Sequence, residues 1–196
     1  MKKFQALLLF AVMEVANLLT SYKGMSLQVV NVNGTQAVRK SVTYYFSGKA
    51  SELGATNGKC LQNVKKAEVG ITNFQGNQLP KDTTLLITAV RVRYEATGAT
   101  ELADCEFNDN VPPQFANGEF QIVQNGSGVL FKSSGSDVSN RAASTGNDDD
   151  FREIVPVLIR SQKDFDFIFS QVGTTAYTGN FKIELRCEEY TSPGSN

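Results

Sequence analysis

The sequence has no histidine and no tryptophan among its 196 residues. Histidine is the usual base of Ser-His-Asp and Cys-His enzymes and a common ligand in zinc enzymes. Its absence therefore excludes the first two kinds of site and most of the third. It also removes the usual pH switch near neutrality. We predict that the chain is not an enzyme and carries no cofactor.

Cysteine is scarce, with only Cys60, Cys105 and Cys187 in the whole chain. An odd, widely spaced set is not the even framework of a disulfide-rich secreted protein, and it lacks the close pairs of a metal site. The pattern predicts three free or partly buried thiols in a protein that matures in a reducing cytosol. One disulfide with one free thiol is the alternative.

Basic residues are in no excess, since 19 Lys and Arg stand against 20 Asp and Glu. A protein that binds nucleic acid by neutralising phosphates normally has a clear positive excess, so we predict no specific nucleic-acid partner. The chain has no glycine-rich phosphate loop, and no group of residues indicates a small-molecule substrate.

Two acidic clusters have the oxygen ligands that calcium takes. They are Asp148, Asp149 and Asp150, and Asp104, Glu106, Asp109 and Asn110. Neither has the ordered alternation of a calcium loop, so we predict that both are solvated and that the chain has no metal site.

Residues 1–24 predict an amphipathic helix or arm that ends near Lys23 and Gly24. One wide side of this helix is apolar and is the expected contact face. It consists of Phe4, Leu8, Ala11, Val15, Leu18 and Leu19. Such a face must be covered by its own domain, by a neighbouring subunit or by a lipid surface. The alternative is an export signal in residues 1–23, although no small-x-small cleavage site follows the apolar run.

Residues 25–190 read as a single all-β domain, and residues 191–196 as a polar tail. Short apolar stretches alternate with Gly, Asn and Pro turns, and no βαβ pattern occurs. This spacing predicts a β-sandwich or barrel. Pro112 and Pro113 are expected to rule out a helix or central strand, and residues 134–150, which are almost free of large apolar side chains, are expected to form a mobile loop.

A period of two along the strands predicts the core, because alternate side chains of a strand point to opposite faces. The predicted core consists of Val90, Val92, Tyr94, Phe120, Ile122, Phe165, Phe167, Phe169, Phe181, Ile183 and Leu185. The same period places Leu86 on the face of Val90, and Asp164 and Asp166 on the outer, solvated face.

Three segments carry a resemblance to a known family. They are FQGNQLPKDTTLLITAVRVRYE, NGEFQIVQNGSGVLFKSS, and IVPVLIRSQKDFDFIFSQ followed by FKIELRCEEY. Their order over roughly residues 70–190 resembles the jelly-roll capsid proteins of icosahedral, tailless, membrane-containing bacteriophages. The resemblance implies a single jelly-roll β-sandwich of about eight antiparallel strands behind the amino-terminal helix.

The resemblance also implies a function: a viral structural protein that assembles with copies of itself and with other capsid proteins. Its place would be the virion, after assembly in the host cytoplasm, and its amino-terminal helix could contact an internal membrane. A major, penton or minor capsid role stays open. The alternative is a secreted or surface β-sandwich adhesin or carbohydrate-binding module. A metalloenzyme of the cupin kind is disfavoured, because cupin metals are usually held by histidines.

Overall fold

The computed structural model describes residues 28–32, 35–53, 58–95, 101–139, 151–173 and 175–192. The predicted amino-terminal helix, with its contact face from Phe4 to Leu19, lies outside the described residues. The end of the predicted tail, residues 193–196, also lies outside them.

The described residues form nine β-strands in two antiparallel sheets, which confirms the all-β prediction. The strands are β1 (Gln28–Val32), β2 (Thr35–Lys49), β3 (Gly58–Lys59), β4 (Thr83–Glu95), β5 (Glu119–Gln124), β6 (Gly128–Ser134), β7 (Arg152–Ile159), β8 (Phe165–Ser170) and β9 (Asn180–Thr191). The first sheet has the order β1-β2-β9-β4-β7, and the second has the order β3-β8-β5-β6.

The strand pairs are nested one within another. β2 pairs with β9, β3 with β8, β4 with β7, and β5 with β6, all antiparallel. Two further antiparallel pairs, β4 with β9 and β5 with β8, complete the sheets. The chain therefore resembles one long hairpin wound up on itself, and it passes from one sheet to the other at most connections.

The core lies between the two sheets. Each of the eleven side chains predicted for the core is at most 1% exposed. Rings from opposite sheets meet there: the centroids of Phe169 on β8 and Phe181 on β9 are 5.4 Å apart. Interdigitated aromatic rings of this kind are the usual filling of a β-sandwich.

A β-bulge in β4 changes the face on which Leu86 lies. The register shifts between Ile87 and Ala89 on both sides of the strand. Because the extra residue reverses the alternation, Leu85 and Ile87 are fully buried whereas Leu86 is only half-buried. The prediction that Leu86 shares the buried face of Val90 was therefore wrong.

Two short helices close one end of the sandwich: α1 (Pro113–Ala116) and α2 (Gly135–Ser139). The prediction that the two prolines exclude a helix was wrong, because Pro113 opens α1, where a missing N–H breaks no helical hydrogen bond. Residues 135–139 of the predicted mobile loop are helical instead, with Val138 2% exposed. The remainder of that loop, residues 140–150, lies outside the described residues.

Candidate functional site

The outer face of the first sheet carries charged side chains centred on Glu184 of β9. Arg91 and Arg93 of β4 donate to this carboxylate through their Nε atoms, at 2.9 and 3.1 Å. Only 11% of the Glu184 side chain is exposed, so the two guanidinium groups replace water around it. The main effect of the network is to fasten β4 to β9.

Phe151, which directly precedes β7, lies between two arginines on this same face. The guanidinium carbon of Arg91 is 4.5 Å from the ring centroid, and that of Arg186 is 4.3 Å away. Both distances are those of cation–π contacts, and the ring is only 9% exposed. These contacts anchor the start of β7 and indicate a structural role for the outer face of the first sheet.

The outer face of the second sheet contains a groove of about 470 Å³. Side-chain amides of Gln62, Asn77, Gln121 and Asn125 line it, together with Lys59. Amides both donate and accept hydrogen bonds, and so they could bind a polyhydroxylated ligand. This amide groove is the candidate small-molecule site of the chain.

Asp166 lies beside the amide groove but is only 5% exposed, so its predicted solvated position was wrong. Its Oδ1 accepts the backbone N–H groups of Cys60 and Leu61, each at 2.8 Å, and that of Phe167 at 2.9 Å. Burial raises the pKa of Asp166 above its ordinary value, against these donors, which lower it. The carboxylate fastens the chain after β3 to β8.

An apolar surface, here called the β6–β7 edge, joins the free edges of the two sheets. It consists of Leu130, Phe131, Val155, Pro156 and Leu158, which line a groove of about 330 Å³. Val155 is 85% exposed and Leu158 is 45% exposed. Neighbouring apolar side chains that stay this exposed mark an interaction surface more often than single ones do.

The thiols are not arranged for nucleophilic chemistry. All three cysteines are free, so the alternative of one disulfide was wrong. Cys60 and Cys187 are buried, and burial raises the pKa of each thiol. Burial also raises the pKa of Cys105, to about 11, with the neighbouring Glu95 as a further cause. A thiol is nucleophilic as its thiolate, which these shifts suppress.

In the described part of the chain, which includes the cluster of Asp104, Glu106, Asp109 and Asn110, no three His, Cys, Asp or Glu residues lie close enough to hold an ion. Asp104, Glu106 and Asp109 are exposed in the loop after β4. The second cluster, residues 148–150, lies outside the described residues. No helix among the described residues is long and apolar enough to cross a membrane.

No family model matches the chain, and no curated protein matches it. One similar solved structure is the cryo-EM structure of the extra small virus (XSV) VLP of the giant freshwater prawn Macrobrachium rosenbergii. That match covers 85% of this chain and 86% of the other, with 13% identity and a TM-score of 0.28. A TM-score this low supports no inference about either fold or function.

Proposed function

We propose that the chain is a single jelly roll that assembles with copies of itself as a subunit of an icosahedral bacteriophage capsid. The observation that carries the proposal is the nested strand pairing. Apart from β1, the strands form two sheets with the orders β2-β9-β4-β7 and β3-β8-β5-β6. A jelly roll is such a wound hairpin in two facing four-stranded sheets, and it is a recurrent fold of viral capsid domains.

The exposed β6–β7 edge supports assembly. Val155 and Leu158 remain in water in a single chain, and burial against another subunit would remove that unfavourable contact. The role proposed is structural rather than catalytic. The raised pKa values of the thiols agree with this role, because they suppress the reactive form of each thiol.

The proposed setting is the virion, after assembly in the host cytoplasm. Three free thiols suit a protein that matures in a reducing compartment. We propose that other capsid proteins are further partners. The amino-terminal segment is proposed to lie on the inner side of the shell, against neighbouring subunits or an internal membrane.

Sedimentation velocity of the purified full chain tests this function. We expect rings, capsomers or closed shells that sediment far faster than one chain and grow with protein concentration. The control is the same run in excess reducing agent, because free thiols could link chains artificially. A single monomeric species at every concentration would contradict the proposal.

A second candidate is a secreted or surface carbohydrate-binding or adhesin module, which the amide groove favours. Titration with polysaccharides should then show binding that Gln121→Ala and Asn125→Ala weaken. Amino-terminal sequencing separates the candidates, since an exported chain would begin near residue 20 and a capsid chain at Met1 or Lys2. No saccharide binding together with an intact amino terminus would rule this candidate out.

A further inference from the structure

The residues of the β6–β7 edge belong to two strands that each lie at the edge of a sheet. Among the described residues β7 pairs with β4 alone, and β6 pairs with β5 alone. An exposed edge strand is a template for contact with another chain. The centre of β7 is also irregular: Val157 is opposite Ile87 and Glu153 is opposite Ala89, so residues 154–156 have no register partner on β4. Val155 lies in this irregular stretch and is 85% exposed.

The charges that flank this apolar stretch are opposite in sign. Glu153 lies near the start of β7, Arg160 directly follows its end, and both are exposed. Neither side chain forms an ion pair within the described part of the chain. The apolar residues Val155 and Leu158 lie between them.

We infer that the partner of the β6–β7 edge is a second copy of this chain, which docks with its β7 antiparallel about a twofold axis between Pro156 and Val157. Counted in residues, Glu153 and Arg160 are equally far from this axis, as are Val155 and Leu158, and the irregularity at residues 154–156 brings Glu153 closer to the axis in space. In this arrangement the long side chains of Glu153 and of Arg160 in the other copy can meet, and Val155 lies near Leu158 of that copy. The same surface on both copies is thus self-complementary, as a twofold contact requires.

Side chains rather than a continuous sheet would form the contact. Pro156, at the centre, has no N–H to donate and interrupts hydrogen bonding along the β7 edge. An edge of eight residues covers less than the roughly 800 Å² per partner of a standard interface. We therefore expect pairwise association to be weak and to strengthen when several such contacts act together. The inference rests on the proposed self-assembly and names its contact.

Charge reversal in the full chain tests the twofold by sedimentation equilibrium. Glu153→Lys and Arg160→Glu should each weaken association about tenfold or more, because symmetry turns two attractive pairs into two repulsive ones. The double variant Glu153→Lys/Arg160→Glu should restore association to within about threefold, because it restores both pairs. Glu52→Lys and Lys65→Glu, which change the charge equally at exposed residues outside this edge, are the matched controls.

The outcomes separate this inference from the proposed function. If the chain assembles but the two reversals behave like the controls, or the double variant fails to recover, the twofold is overturned and self-assembly stands. If association is lost in Leu8→Asp but unchanged in both reversals, the amino-terminal segment rather than the β6–β7 edge carries the contact between copies, and the twofold is overturned. A chain that is monomeric at every concentration overturns both.

Discussion

Replacing Phe167 with alanine tests the sandwich core and the register of β8 together. The ring is fully buried, and its centroid lies 5.7 Å from that of Phe74, 6.1 Å from that of Phe165 and 6.2 Å from that of Phe120. A Phe→Ala change at such a site costs about 3–5 kcal/mol, because it removes buried apolar surface and leaves a cavity. For a chain of this size that lowers the melting temperature by about 6–20 °C.

Ile168→Ala is the matched control, since the next residue of the same strand lines the amide groove on the opposite face. Its half-buried side chain should cost less than about 1.5 kcal/mol. Unfolding in urea is best followed by far-UV circular dichroism, because the chain has no tryptophan. Equal losses in the two variants, or a larger loss for Ile168→Ala, would refute the assigned register.

Three further predictions concern a buried carboxylate, a glycine and a thiol. Asp166→Ala should cost about 1–3 kcal/mol by leaving the N–H of Leu61 without its partner. Burial raises the folded pKa of Asp166, so the contribution of this carboxyl to stability is largest below pH of about 4 and falls as pH rises through the folded pKa. In a series of urea midpoints measured against pH, Asp166→Asn should abolish this dependence on pH. A pH dependence that is the same in the variant and in the parent chain would contradict the assignment. Gly135→Ala should unfold the chain or lower its melting temperature sharply, because the new Cβ would lie 1.9 Å from the carbonyl oxygen of Phe115, and a normal melting curve would disprove that close approach. In the folded protein at pH 8, maleimide should label Cys105 slowly and the other two thiols far more slowly still, whereas fast labelling of all three would show that the sandwich opens.

The alternation of apolar and polar residues made most of the strands and their buried faces predictable. Phe165, Phe167 and Phe169 alternate with polar or half-buried neighbours. Because alternate side chains of a strand point to opposite faces, this pattern predicts which residues are buried. Leu86 departed from the pattern because a bulge adds one residue, and the sequence of β4 contains no glycine or proline to announce it.

Buried residues outside the strands were harder to predict. Phe115 and Phe74 are at most 2% exposed, but the first belongs to a one-turn helix and the second to an irregular segment between β3 and β4. Neither phenylalanine lies in a stretch where apolar and polar residues alternate. Pro113 at the first position of a helix was a usable signal for Phe115. An isolated phenylalanine between Asn73 and Gln75 offers no comparable signal.

The candidate surfaces depend on tertiary contacts, so the sequence alone could not have located them. Asp166 looked solvated because it alternates with phenylalanines, yet the chain after β3 folds over it and supplies two of its three donors. The run of apolar residues from Ile154 to Ile159 did contain a hint of the β6–β7 edge. A strand with one buried face does not need apolar residues at both parities.

Cryo-electron microscopy of the purified full chain tests the central claim, self-assembly of a single jelly roll, most directly. The account predicts rings or closed shells in which each subunit shows two facing sheets, with neighbouring copies in contact at the β6–β7 edge. Dispersed single chains, or particles whose subunits lack two facing sheets, would contradict it.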